Sequence, residues 1–150
     1  METKKVAPTT VAIHSIKISL STISNAVGVI PNMIMEEIQK QNIKPTAPQI
    51  WHYIDCDGQM DTEFNLDICV PVAETGKENN LISFKELNAF KCITDMHHGP
   101  WSELGAAYEK LFGKLAQQGF KPTGQCREVY HHCDFEDQNK CITEIQVEVL

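Results

Sequence analysis

The chain repeats itself. Lys44-Pro45-Thr46 and Lys121-Pro122-Thr123 stand 77 residues apart, and the register extends ungapped in both directions. Downstream it aligns Tyr53 with Tyr130, Asp57 with Asp134, Asp67 with Glu144, Ile68 with Ile145 and Val70 with Val147. Upstream it aligns Gln41 with Gln118, Ile38 with Leu115 and Ile34 with Leu111. A shared tripeptide alone is a common accident. An ungapped register that keeps chemical type over this span marks a duplicated unit, whose copies must bury a face against each other.

Each copy reads as strand, helix, strand, strand. In the first, Val11 to Leu20 alternates apolar and polar residues as a strand does. Asn25 to Gln41 carries Ile30, Ile34 and Ile38 at helical spacing, with Pro31 set to kink the helix or delay its start. Gln49 to Asp55 and Asn65 to Val72 read as strands about the turn-like Cys56-Asp57-Gly58-Gln59. In the second copy, Ala89 to His98 is a strand broken by Gly99-Pro100. Glu103 to Gln118 is a helix with Leu104, Ala107, Tyr108, Leu111, Phe112 and Leu115 on its apolar face, and Gly119 is its left-handed stop. Cys126 to His132 and Cys141 to Val149 complete it. A polar linker, 73–80, separates half-modules of about 6–72 and 81–150, and Leu81 to Leu87 adds a short strand. The pattern predicts one α+β domain over 1–150. Its tandem strand-helix-strand-strand repeat forms a pseudo-twofold antiparallel sheet, with helices on one face and a ligand groove on the other.

Strand alternation then assigns side chains to faces. Leu66, Ile68, Val70 and Val72, and Ile145, Val147 and Val149 of the equivalent strand, belong against the helices, so Asp67 and Glu144 point into the groove. Trp51 shares a face with Tyr53, and Glu128 with Tyr130, and these side chains are expected to line the same groove. A carboxylate among aromatic rings suits an organic cation, because the rings add cation–π attraction to the charge.

Composition removes other classes. The chain has 13 basic and 20 acidic residues, a net charge of −7, and a single arginine, Arg127. That argues against direct nucleic-acid binding, which needs cations to replace counterions on phosphates. No apolar run reaches membrane-spanning length, and the N-terminus lacks the pattern of a secretory signal. Six cysteines without a CxxC pair read as reduced thiols of a cytoplasmic protein. The pairs His97-His98 and His131-His132 sit on strands, where neighbours point to opposite faces, so no metal site is expected. GxSxG, P-loop and GxGxxG motifs are missing, so no cofactor is expected.

Three segments carry a family resemblance. His98-Gly99-Pro100-Trp101-Ser102-Glu103-Leu104 resembles a histidine-glycine-proline-aromatic entry to a second helix. Arg127-Glu128-Val129-Tyr130 resembles a strand ending in tyrosine, and Thr143-Glu144-Ile145-Gln146-Val147 a terminal strand. Together they resemble the GyrI-like small-molecule-binding family, also seen as the effector-binding domain of AraC-type and multidrug-responsive regulators. The resemblance implies a groove for small aromatic or cationic ligands and maps the family's glutamate onto Glu144 and its tyrosine onto Tyr130. Trp51, Tyr53, Asp67 and Trp101 join the candidate ligand-binding set. The chain reads as a stand-alone module that senses or sequesters its ligand as monomer or homodimer, with any DNA-binding or gyrase partner a separate protein. Two alternatives follow from the resemblance. One is a hydrolase of strained electrophilic aromatic compounds using Glu144 and Tyr130, and the other is a gyrase-inhibitor-like interaction protein.

Overall fold

A computed structural model describes residues 2–150. Eight strands form one antiparallel sheet: β1 (Lys4–Val6), β2 (Thr9–Ile18), β3 (Ile50–Ile54), β4 (Phe64–Pro71), β5 (Ser83–Leu87), β6 (Phe90–His98), β7 (Pro122–His132) and β8 (Ile142–Val149). Their order is β1-β6-β8-β7-β3-β4-β2-β5. A single helical turn, α1 (Ser24–Val27), and two helices, α2 (Ile30–Lys40) and α3 (Leu104–Gln117), complete the chain's main elements.

The sheet reads alike from both ends. β3 and β7 pair at its centre, with Ile50 opposite Val129, Trp51 opposite Glu128 and His52 opposite Arg127. The 77-residue offset carries the first pair onto the third and the Trp51–Glu128 pair onto itself. A pseudo-twofold axis therefore passes through that pair. The sequence reading lacked β1, and with it an exchange of edges. β1 pairs with β6 of the other half, while β5 pairs with β2 of the first.

Both main helices pack on one face. Ile34 and Ile38 of α2 are buried with Leu66, Ile68 and Val70. Leu111 and Leu115 of α3 are buried with Ile145, Val147 and Val149. Each such aliphatic side chain contributes roughly 2 kcal/mol by leaving water. The two helices also end alike. The Phe120 amide donates to the Leu115 carbonyl (3.0 Å) and the Gly119 amide to that of Ala116 (3.3 Å), with Gly119 at φ +77°. The Ile43 amide donates to the Ile38 carbonyl (2.9 Å) and the Asn42 amide to that of Gln39 (3.0 Å), with Asn42 at φ +56°. Asn42 and Gly119 are 77 residues apart, and both satisfy orphan carbonyls through a left-handed residue. At the other end, Pro31 sits in the first turn of α2. It has no N–H to donate, and none is needed there. The expected helix from Asn25 is therefore split, with α1 before it.

The opposite face is packed rather than open. The sheet curls over Val11, Ile13, Ile50, Cys69, Leu87 and Val129. Across it runs a polar row in register, Asp67–His52–Arg127–Gln146, each less than one-tenth exposed. Arg127 lies 3.9 Å over the Phe90 ring and donates to the Asn88 carbonyl, which closes this face. The groove of this fold therefore lies on the helix side of the sheet.

Candidate functional site

A cavity of ≈ 1250 Å³ lies between α2 and α3, on the helix side of the sheet, with β3 and β7 as its floor. Trp51, Tyr53, Trp101 and Tyr130 line it, together with Tyr108 and Glu128. Asp67 and Glu144 do not. The reason is inter-strand register. Trp51 is opposite Ile68, and Glu128 opposite Ile145, so both share the helix side with those isoleucines. Asp67 is opposite His52, and Glu144 opposite Val129, on the packed side. The alternation within each strand holds. The one-residue phase between neighbouring strands decides which face they share, and a single sequence does not display it.

Glu128 is the acid of this site. It is 4% exposed. Its Oε1 accepts from the hydroxyls of Tyr130 (2.5 Å) and Tyr53 (3.1 Å), and its Oε2 from the hydroxyl of Tyr108 (2.6 Å). Burial is the largest influence on the carboxyl and pushes its pKa up. The hydroxyls of Tyr108, Tyr130 and Tyr53 pull it back only in part, so it stays above the usual carboxylate range. Burial, reinforced by the Glu128 charge, pushes all three phenols well above 10, so they remain donors. The carboxylates in the wall are Asp57, Glu109 and Glu128, and among the described residues no lysine, arginine or histidine lines it. Cys126, in the same wall, has its thiol pushed up to about 12 by burial and then by Glu128. It is an apolar wall atom rather than a nucleophile.

Sequence reasoning placed Glu128 beside Tyr130 but did not make it the charge of the site, and it read Tyr108 as core. The usable signal was the repeat itself. Trp51 and Glu128 are equivalent positions, and a lone acid replaces an aromatic on a strand face otherwise given to Cys126 and Tyr130. Glu144 has a different task. It accepts from Lys4 (2.9 Å), His131 (2.9 Å) and Gln146 (2.8 Å), tying β1 to the sheet. Burial opposes its charge, but the hydrogen bonds from Gln146, His131 and Lys4 outweigh burial and hold the carboxyl below the usual range. Asp67 accepts from the Ser15 hydroxyl (2.6 Å). Of the paired histidines, His97 meets the Pro100 carbonyl (3.0 Å) and His131 meets Glu144. Among the described residues no three His, Cys, Asp or Glu side chains are placed to hold a metal ion.

The sequence matches the family model of the GyrI-like small molecule binding domain over residues 1–150. No curated protein matches it significantly. Among solved structures, the C-terminal domain of EcmrR superposes with a TM-score of 0.87 at 23% identity, over 99% of this chain and 96% of that one. EcmrR in its complex with DNA gives 0.85 at 25% identity. There this chain spans 56% of the length of the EcmrR chain and 99% of its own. SAV2435 bound to tetraphenylphosphonium gives 0.68 at 15% identity, over 99% of this chain and 93% of that one.

Proposed function

Because the chain belongs to the GyrI-like small-molecule-binding family, we propose that its cavity holds a hydrophobic organic cation and that Glu128 is the charge that selects it. The observation that carries this reading is the state of Glu128, a carboxylate buried beneath an aromatic cavity whose hydrogen bonds among the described residues come from three neutral hydroxyls. Removing a carboxylate from water costs several kcal/mol, and three neutral donors return part of it. A cation entering the cavity supplies the rest. At ~5 Å and an effective dielectric of ~20 the attraction is about 3 kcal/mol, or about a hundredfold in affinity. Trp51, Trp101 and the tyrosines add apolar area and cation–π attraction. The phosphonium bound by SAV2435 is a ligand of this kind.

On this reading the protein senses or sequesters its ligand. The six unpaired cysteines support a reducing, cytoplasmic setting, and no helix among the described residues is long and apolar enough to cross a membrane. The self-mapping register supports residues 6–72 and 81–150 as duplicated half-modules.

The test is calorimetric titration of the wild type and Glu128→Gln with a quaternary acridinium and an uncharged ring system of the same shape. Glutamine keeps the bonds its oxygen accepts from Tyr53 and Tyr130 and reverses the third, its amide donating to the Tyr108 oxygen. The expected result is about a hundredfold loss for the cation and little change for the neutral ring. Equal affinities of the cation for both proteins would remove the reading.

A further inference from the structure

The cavity is symmetric in position and asymmetric in chemistry. The 77-residue offset pairs Pro31 with Tyr108, Asn32 with Glu109 and Tyr53 with Tyr130 across it, all in its wall. With the pseudo-twofold axis at Trp51–Glu128, the groove has two ends. One is bounded by Trp101 and Phe135, whose counterparts at the other end are Ser24 and Gly58. Flat aromatic area therefore gathers at one end.

The rings there form a chain. Trp51 meets Tyr130 edge-on (centroids 5.5 Å apart), Tyr130 meets Trp101 edge-on (6.5 Å), and Trp101 meets Phe135 at a tilt (5.1 Å). Phe135 closes the chain and is still 70% exposed. The indole N–H of Trp101 is buried without an acceptor among the described residues, although a buried indole N–H normally finds one. Tyr130 joins this end to the acid, with its ring against Trp101 and its hydroxyl on Glu128.

We propose that the Trp101–Phe135 end is a second subsite, taking a flat aromatic ring that bears a neutral hydrogen-bond acceptor and is tethered to the cationic group at Glu128. The proposal rests on the reading of Glu128 as the cation-selecting charge. The ligand class it names is an elongated amine or quaternary ammonium carrying a planar, carbonyl-bearing ring, bound in one orientation along the groove. The carbonyl accepts from Trp101 once the indole turns to present its covered N–H to the groove, and Phe135 covers the outer face of the ring. The opposite end, with Ser24 and Gly58 at the equivalent positions, offers no matching pair of rings.

The experiment measures calorimetric affinities of three probes. They are tetrabutylammonium, a trimethylammonium-tethered acridone, and the same tethered ring system without the carbonyl. The proteins are wild type, Phe135→Ala, Trp101→Phe and Glu128→Gln. Wild type should bind the acridone most tightly. Phe135→Ala should weaken the acridone by about threefold to tenfold, the worth of one aromatic contact, and tetrabutylammonium by less than about twofold. Trp101→Phe, which keeps a ring and deletes the N–H, should weaken the acridone about fivefold more than its carbonyl-free analogue. The subsite is overturned if tetrabutylammonium binds wild type as tightly as the acridone, if Phe135→Ala treats the two alike, or if Trp101→Phe does not separate the tethered rings. Glu128→Gln separates the two failures. If it weakens every probe while Phe135→Ala weakens none, only the subsite falls. If it weakens none, the cation reading falls.

Discussion

Tyr108→Phe isolates the hydrogen bond that stabilises the buried charge of Glu128. Among the described residues the Tyr108 hydroxyl is the one donor to Oε2, whereas Oε1 accepts from two phenols. A bond to a charged group is worth about 1.5–3 kcal/mol, so Tyr108→Phe should destabilise the protein by about 2 kcal/mol at pH 8. For a chain of this size that lowers the melting temperature by roughly 4–8 °C. Tyr53→Phe removes the longer 3.1 Å bond from an oxygen that keeps its 2.5 Å bond to Tyr130, and should cost under about 1 kcal/mol. The pH dependence has a definite sign. The folded pKa of Glu128 already lies above its unfolded value because of burial, and loss of a donor raises it further. Below the unfolded value the carboxyl is protonated in both states and both proteins, and the difference between them shrinks to the worth of a neutral hydrogen bond, about 1 kcal/mol. It grows as pH rises through the folded values and is complete above them. Urea unfolding of wild type and both variants at pH 4 and pH 8, followed by tryptophan fluorescence, reads this out. A Tyr108→Phe loss of the same size at both pH values, or a Tyr53→Phe loss as large, would refute the reasoning.

Glu144→Gln tests the face assignment. Its folded pKa lies below the ordinary carboxylate range, so its contribution is present above that range and fades as pH falls through the folded value. The variant should lose about 1 kcal/mol at pH 7 and leave cation affinity unchanged within about twofold. Gly119→Ala adds a Cβ that meets nothing within 4 Å, at φ +77°. The backbone conformation alone should cost about 1 kcal/mol in a thermal melt.

How far the fold could be read from the sequence varies by element. The alternation of Leu66, Ile68 and Val70, and of Ile145 and Val147, correctly placed these residues under the helices, because burial of one face writes itself into every second residue. Gly119 was legible as a helix stop because few residues tolerate its conformation. The three-residue β1 was too short to show a period. The exchange of β1 and β5 is a matter of which sheet edge a two-residue link can reach, and periodicity carries no such information. Trp51, Tyr53, Trp101 and Tyr130 are legible as groove residues, but alternation within β8 points to Glu144, whereas the carboxylate beside them is Glu128 of β7. Tyr108 was hidden because a tyrosine at helical spacing looks apolar until its hydroxyl has a partner.

The edge exchange also orders events during synthesis. β1 leaves the ribosome first, yet the strand it needs begins at Phe90. At ~5–20 residues per second, that tether waits roughly 4–17 s. The first half, joined by β5, can meanwhile complete β3-β4-β2-β5, but the outer edge of β3, with Ile50 and Trp51, stays open until β7 is made. An open apolar edge recruits any strand of matching register. A second nascent copy carries that strand, so exchange of halves between copies is the characteristic hazard of this topology.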